Sequence, residues 1–339
     1  GYVFQNPDHQ IFAATVADEV AFGPRNLGVG AAECRERVQE ALRRAGLEAF
    51  AEQGLPSTRL EEWRYTNVAE LAALPWQPAE QRAPAISRDA LEALASPVFA
   101  CGLLVFVNGR LVPELGTLRS PDVELVSLAE ARRASEARAL QRIGSLVDVK
   151  AHPFAALASA CLDDGVCIRI LAGVRLPQPL HLVFLSASSA APVAAHPRVW
   201  IEAGRGSEAV VVQDHVSLGG GPASTKAATG LHAGPGVLLG SAPAFTNAVT
   251  ELHVGPGARL THLLLQREGG ATFHVSNTAA QLERDARLAS HVITLGGRFV
   301  RNDLSVQIAG ERAEAVLNGL FLCTGERLVD NHSFVDHTV

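Results

Sequence analysis

From Pro197 to Val339 the chain keeps returning to one pattern: a strand end, a tight turn, an alanine, then a new strand. It reads Val254-Gly-Pro-Gly-Ala-Arg-Leu-Thr-His262, then Leu282-Glu-Arg-Asp-Ala-Arg-Leu-Ala-Ser-His291, then Ile308-Ala-Gly-Glu-Arg-Ala-Glu-Ala-Val-Leu317, with an earlier copy over Ile201 to Val211. Leu260, Leu288 and Val316 succeed one another every 28 positions, and a fixed period between about 20 and 50 residues marks a stacked-repeat architecture. Within each copy the alternation has period 2 (Leu260, His262, Leu264, Gln266; Leu288, Ser290, Val292, Thr294), so the repeat is built of strands with one side turned inward. The expected fold is mainly β: a β-helix of stacked strand coils enclosing one continuous apolar core, with N-terminal helical segments and a short α/β fragment ahead of them. Side chains at equal positions of successive coils stack, and His262 and His291 are expected on one face about one coil apart.

Other classes are excluded by composition. The net charge of -6 is small, the arginines are scattered, and Lys150 and Lys226 are the only lysines, so neither a nucleic-acid footprint nor a polybasic membrane patch is present. No apolar run reaches the roughly 20 residues that span a bilayer, and no signal peptide is recognisable; a cytoplasmic protein is expected. Cys34, Cys101, Cys161, Cys167 and Cys323 are odd in number and form no Cys-x-x-Cys pair, which favours free buried thiols over disulfides or zinc. The chain lacks Met and opens at Gly1 inside a motif, as a fragment would.

Four regions are expected: 1–48, 49–100, 101–162 and the β-helix 163–339. A helix over Ala31 to Ala45 with an apolar stripe (Cys34, Val38, Ala41, Leu42, Ala45) should stop at Gly46. Thr58 with Glu61 and Ser127 with Glu130 have capping-box spacing, the second opening a helix to about Arg142. Ser87 caps a helix to about Leu94, and Pro153 opens one through Ala160. Asn108-Gly109 between Leu103–Val107 and Arg110–Val112 is a hairpin turn. Trp63, Arg64 and Tyr65 are expected to pack a helix on its neighbours. Gly219 to Pro243 reads as a loop interrupting the repeat.

Two family resemblances rest on specific residues. Tyr2-Val-Phe-Gln-Asn-Pro-Asp8, Thr15-Val16, Asp18-Glu-Val-Ala-Phe-Gly-Pro24 and Asn26-Leu-Gly28 resemble the glutamine loop and following helices of energy-coupling-factor ABC ATPases. This resemblance implies that Gln5 is the glutamine contacting magnesium and the attacking water. No Gly-x-x-x-x-Gly-Lys-Ser/Thr loop exists to cradle phosphates, so no nucleotide binding is expected. An ATP-binding fragment of a metal-ion (cobalt or nickel type) ABC transporter is the alternative reading.

Leu55-Pro-Ser-Thr-Arg-Leu-Glu-Glu-Trp-Arg-Tyr-Thr66, Phe106-Val-Asn-Gly-Arg110, Asp163-Asp-Gly165, Leu295-Gly-Gly297, Arg301-Asn-Asp303, Leu317-Asn-Gly-Leu320, Asp330-Asn-His-Ser333 and Asp336-His337 resemble the SufD family, across roughly residues 50 to 339. The resemblance implies a β-helical, non-catalytic scaffold for iron–sulfur cluster assembly that works with SufB-like and SufC-like proteins. A cluster would be held transiently in the complete complex and not stably by this chain, because the family's Cys-x-His segment falls beyond Val339. An open last coil is expected to self-associate through Asn318 to Val339.

Candidate metal ligands are Cys323, His332 and His337, with His262, His274 and His291 also in or beside repeat strands. His332 and His337 are an odd number of positions apart and should face opposite ways. Cys323 by itself reads as a small buried residue on a strand. A carbohydrate-active β-helix would need clustered carboxylates, whereas Glu208, Asp285, Glu311 and Glu314 fall in turns. Hydrolase and dinucleotide motifs are absent, and no enzymatic activity is expected.

Overall fold

The computed structural model describes residues 31–79, 86, 91, 102–118, 120–129, 131, 142–187, 191–218 and 242–339, with the backbone alone for 31–39. Gln5, Cys101, nearly all of the Ser87 to Leu94 helix, Glu130 and the body of the Gly219 to Pro243 loop lie outside the described residues. The helices found are α1 (Ala31–Gln53), α2 (Ala69–Ala72) and α3 (Pro153–Ala160). The early strands are β1 (Gln77–Pro78), β2 (Gly102–Val107), β3 (Arg110–Leu111), β4 (Val123–Ser127), β5 (Gly165–Ile170), β6 (Leu180–Ala187) and β7 (Val193–Ala195). The later ones are β8 (Arg198–Ala203), β9 (Glu208–Leu218), β10 (Ala244–Val254), β11 (Arg259–Gln266), β12 (Thr272–Leu282), β13 (Arg287–Thr294), β14 (Phe299–Ile308), β15 (Glu314–Phe321) and β16 (Leu328–His337). No described helix is long and apolar enough to cross a membrane.

The strands form two facing sheets, ordered β16-β14-β12-β10-β8-β5-β4 and β15-β13-β11-β9-β6-β2-β3, with β7 and β1 beside β10. Pairing within the stack is parallel, and β2–β3 and β4–β5 are the antiparallel exceptions. Successive strands from β8 onward alternate between the sheets, so each strand pair makes one coil of a β-helix, as the repeat implies. The repeated pattern is its corner. Val254, Leu282 and Ile308 pair in register, and the turn residues Ala258 and Ala286 are fully buried where a larger side chain would collide with the core.

The register corrects the period. Leu260 pairs with Leu288, but Leu288 pairs with Ala315 and Val316 falls beside Ala289, facing outward at 53% exposure. The corners differ in length, so a constant spacing slips by one, and one residue of slip exchanges the two faces of a strand. His262 and His291 do not share a face: His262 pairs with Ser290, 28 positions on, and faces inward, while His291 pairs with Leu263 on the opposite face.

The interior is also not uniformly apolar. Toward the Ala258–Ala286 corner it is filled by Ile168, Ile201, Leu252, Val254, Leu260, Leu282 and Leu288. Toward the other corner the inward positions carry Ser186, Gln213, His215, Thr246, His262, Gln266, His274 and Thr294, all buried. Strict alternation fixes which side chains face inward but not their polarity.

N-terminal elements cover the outer face of the first sheet. Trp63, Val68, Leu71 and Phe154 pack on Phe245, Phe273, Val275 and Phe299, as expected for Trp63, whereas Tyr65 is exposed. Helix α1 does not stop at Gly46 but runs to Gln53, and Gly54 with φ +64 ends it. Gly46 is there for contact: a Cβ would lie 2.6 Å from the Ala160 backbone nitrogen, so its absence lets α1 press on α3. Asn108 and Gly109 both have positive φ, as the hairpin turn requires.

Candidate functional site

At the polar corner, Glu268 sits between β11 and β12 with its side chain fully buried. Its Oε1 accepts hydrogen bonds from Ser186 Oγ at 2.9 Å and Thr246 Oγ1 at 2.7 Å. Its Oε2 accepts from Gln266 Nε2 at 3.2 Å and lies 2.7 Å from Nδ1 of His274. Burial alone would raise the carboxyl's pKa, but the contact with His274 and then the hydrogen bond from Thr246 hold it well below the usual carboxylate range. Glu268 is therefore an anion inside the solenoid.

His215, the inward residue near the end of β9, completes the group. Its ring stacks on Phe184 at 4.6 Å and meets His274 edge-on at 4.8 Å. Burial pushes its pKa down to about 3, leaving a neutral imidazole at physiological pH. One candidate ligand atom from each of His215, Glu268 and His274 lies within 4.8 Å of the other two, the one such group among the described residues. The sequence reading included His274 but missed its partners, because Glu268 lies in a turn and His215 stands 59 positions before His274 in the sequence.

The ligands proposed from sequence are placed elsewhere. His332 pairs with Asp303 on the outer face of β16, with Nε2 2.9 Å from Asp330, and lines an external cleft of about 720 Å³. His337 pairs with Ile308, on the opposite face as expected. Cys323 is exposed in the turn between β15 and β16, with Sγ 3.6 Å from the Arg327 carbonyl, so the buried-strand reading of it does not hold. Cys161 is exposed as well; of the described thiols only Cys167 is buried, its pKa pushed up to about 12 chiefly by burial.

The segments that carry the family resemblance turn out to be joints. Arg301 donates to Asp303 at 2.8 Å, to Asp330 at 2.7 Å and to the Glu62 carbonyl at 2.7 Å, with its guanidinium 3.8 Å over the Trp63 ring. Thr66 donates to the same Asp330. Asp164 accepts from the backbone N–H groups of Leu111 and Ala129, and Arg110 pairs with Asp163. Gly296 donates to Gln266 Oε1, and a Cβ on Gly296 would lie 2.1 Å from the Glu268 carbonyl.

These joints agree with the comparison to known proteins. A family model of the SufBD protein N-terminal region matches residues 31–182, and a model of the SUF-system FeS cluster assembly SufBD core domain matches residues 184–339. The chain belongs to the SufBD family. It is 24% identical over 286 residues to the iron–sulfur cluster assembly SufBD family protein slr0076 of Synechocystis, covering 83% of this chain and 59% of that protein. It is 26% identical over 293 residues to the iron–sulfur cluster assembly protein SufD of Escherichia coli, covering 86% of this chain and 61% of that protein. The chain thus spans about three-fifths of the length of these SufBD relatives. A shorter stretch is 47% identical over 78 residues to the energy-coupling factor transporter ATP-binding protein EcfA of Methanocaldococcus jannaschii, covering 23% of this chain and 27% of that protein.

Proposed function

We propose that this SufBD-family chain is a non-catalytic scaffold in iron–sulfur cluster assembly, acting with SufB-like and SufC-like partners. The observation that carries this reading is the joint match of N-terminal and core models over residues 31–339, on a solenoid whose motif residues lock the N-terminal segment to the coils. A cluster is cargo passed through the complex, not a resident group of this chain. The test is co-expression with the SufB-like and SufC-like proteins of the same genome. Co-purification, together with a fall in cluster formation when this chain is omitted, is expected; a chain that purifies alone and can be omitted without effect would refute the reading.

The transporter reading is favoured by one observation, the 47% identity over 78 residues to an energy-coupling-factor ATPase. It requires nucleotide binding, and the chain offers no glycine-rich loop with a lysine to hold the phosphates.

A further inference from the structure

We propose that His215, Glu268 and His274 form a binding site for one divalent first-row transition-metal ion inside the β-helix. The inference goes beyond the assembly reading and does not rest on it.

The donor set selects the class of ion. Two imidazole nitrogens and one carboxylate oxygen suit iron(II), cobalt(II) or zinc(II), whereas calcium and magnesium take oxygen ligands and copper(I) takes sulfur. The three side chains come from two different sheets and a corner, and candidate atoms already within 4.8 Å of each other need only small rotations to meet at one centre.

A purely structural role leaves part of the group unexplained. A hydrogen bond accounts for Glu268 and Nδ1 of His274. It leaves Nε2 of His274 and both ring nitrogens of His215 buried with no hydrogen-bond partner among the described residues. Burying such a group without a partner is costly, so these nitrogens need a reason to be there. Coordination supplies one.

The surroundings are built as metal sites are built, with outer groups orienting the ligands. Ser186 and Thr246 hold one oxygen of Glu268, Gln266 holds the other, and the Gly296 N–H holds Gln266. Phe184 fixes the plane of the His215 ring.

The test is titration of chelator-treated protein with cobalt(II), without oxygen, followed by visible absorption. One ion per chain should bind, with ligand-field bands and no thiolate charge-transfer band. His215→Phe and Glu268→Gln should each weaken binding at least about 10-fold, whereas C323S and H332A should leave it unchanged. Absence of saturable binding, or binding retained in both H215F and E268Q, would overturn the site. If those variants fail to fold by circular dichroism, X-ray absorption of the cobalt-loaded native protein decides. Scattering from two imidazoles supports the site, and a sulfur-containing or all-water shell overturns it. Co-purification with SufB-like protein is measured in parallel. Lost metal with intact co-purification rejects only the site, and the reverse rejects only the assembly reading.

Discussion

The guanidinium of Arg301 lies 3.8 Å above the ring of Trp63 while its nitrogens hold Asp303 and Asp330, joining the N-terminal segment to coils far along the chain. Removing Arg301 leaves two carboxylates without their cation, and removing Trp63 empties a buried ring position. Arg301→Met should lower stability by about 3–5 kcal/mol and Trp63→Ala by a similar amount. The double variant should lose less than the two added, by at least about 0.5 kcal/mol. Urea unfolding of the four proteins measures this; strict additivity would show that the contact carries nothing.

Arg198 and Glu251 are a second buried pair, 2.7 Å apart, and Glu251 also accepts from the backbone N–H groups of Gly144 and Leu146. Glu251→Ala should cost about 3–5 kcal/mol, because it strands a buried guanidinium. It should also speed amide exchange at Gly144 to Val147 selectively. Uniform change across the chain would contradict the anchoring role.

Two glycines provide a contrast. A Cβ at Gly296 meets the Glu268 carbonyl at 2.1 Å, whereas one at Gly270 meets nothing within 4 Å. Gly296→Ala should destabilise by about 1–3 kcal/mol, and Gly270→Ala should stay within about 0.5 kcal/mol. Thermal unfolding of the pair distinguishes backbone crowding from a general intolerance at this corner.

Stability should fall on acidification between pH 6.5 and 4. His215 and His262 are buried, and burial lowers their pKa from 6.5 to about 3 and about 4. In that window the unfolded chain takes a proton on each imidazole and the folded chain does not, so acid favours unfolding, by at most about 1.4 kcal/mol per group per pH unit. Glu268, whose pKa is lowered from 4.5 to about 2, contributes stability that is kept above about pH 4.5 and lost as the pH falls below it. With chelator present, His262→Leu should flatten the dependence of the urea midpoint between pH 7 and 5; an unchanged slope would refute the assignment.

Nucleotide should not bind. The Gln5 segment resembles a glutamine loop, but its contribution is useless without a phosphate cradle. Calorimetric titration with magnesium and ATP should show no heat of binding, and micromolar affinity would restore the transporter reading.

The β-helix, its corners and the family are legible in the order of residues alone. Period-2 alternation and a recurring Gly, Asp and Ala turn are local properties, and a solenoid consists of local units repeated, so Val254, Leu282 and Ile308 could be aligned without coordinates. Segments such as Trp63, Asn108-Gly109 and Arg301-Asn-Asp303 were legible as motifs. What they do was not, because each one's partner lies in a distant motif.

The register and the site follow instead from how the coils stack. A corner one residue longer or shorter leaves the turn pattern intact yet exchanges the two faces of the next strand, which is why Val316 faces outward. Helix α1 continued through Gly46 because close packing on α3 outweighed glycine's weak helix propensity. His215, Glu268 and His274 converge because coils stack about 4.8 Å apart, bringing together residues that no sequence window contains.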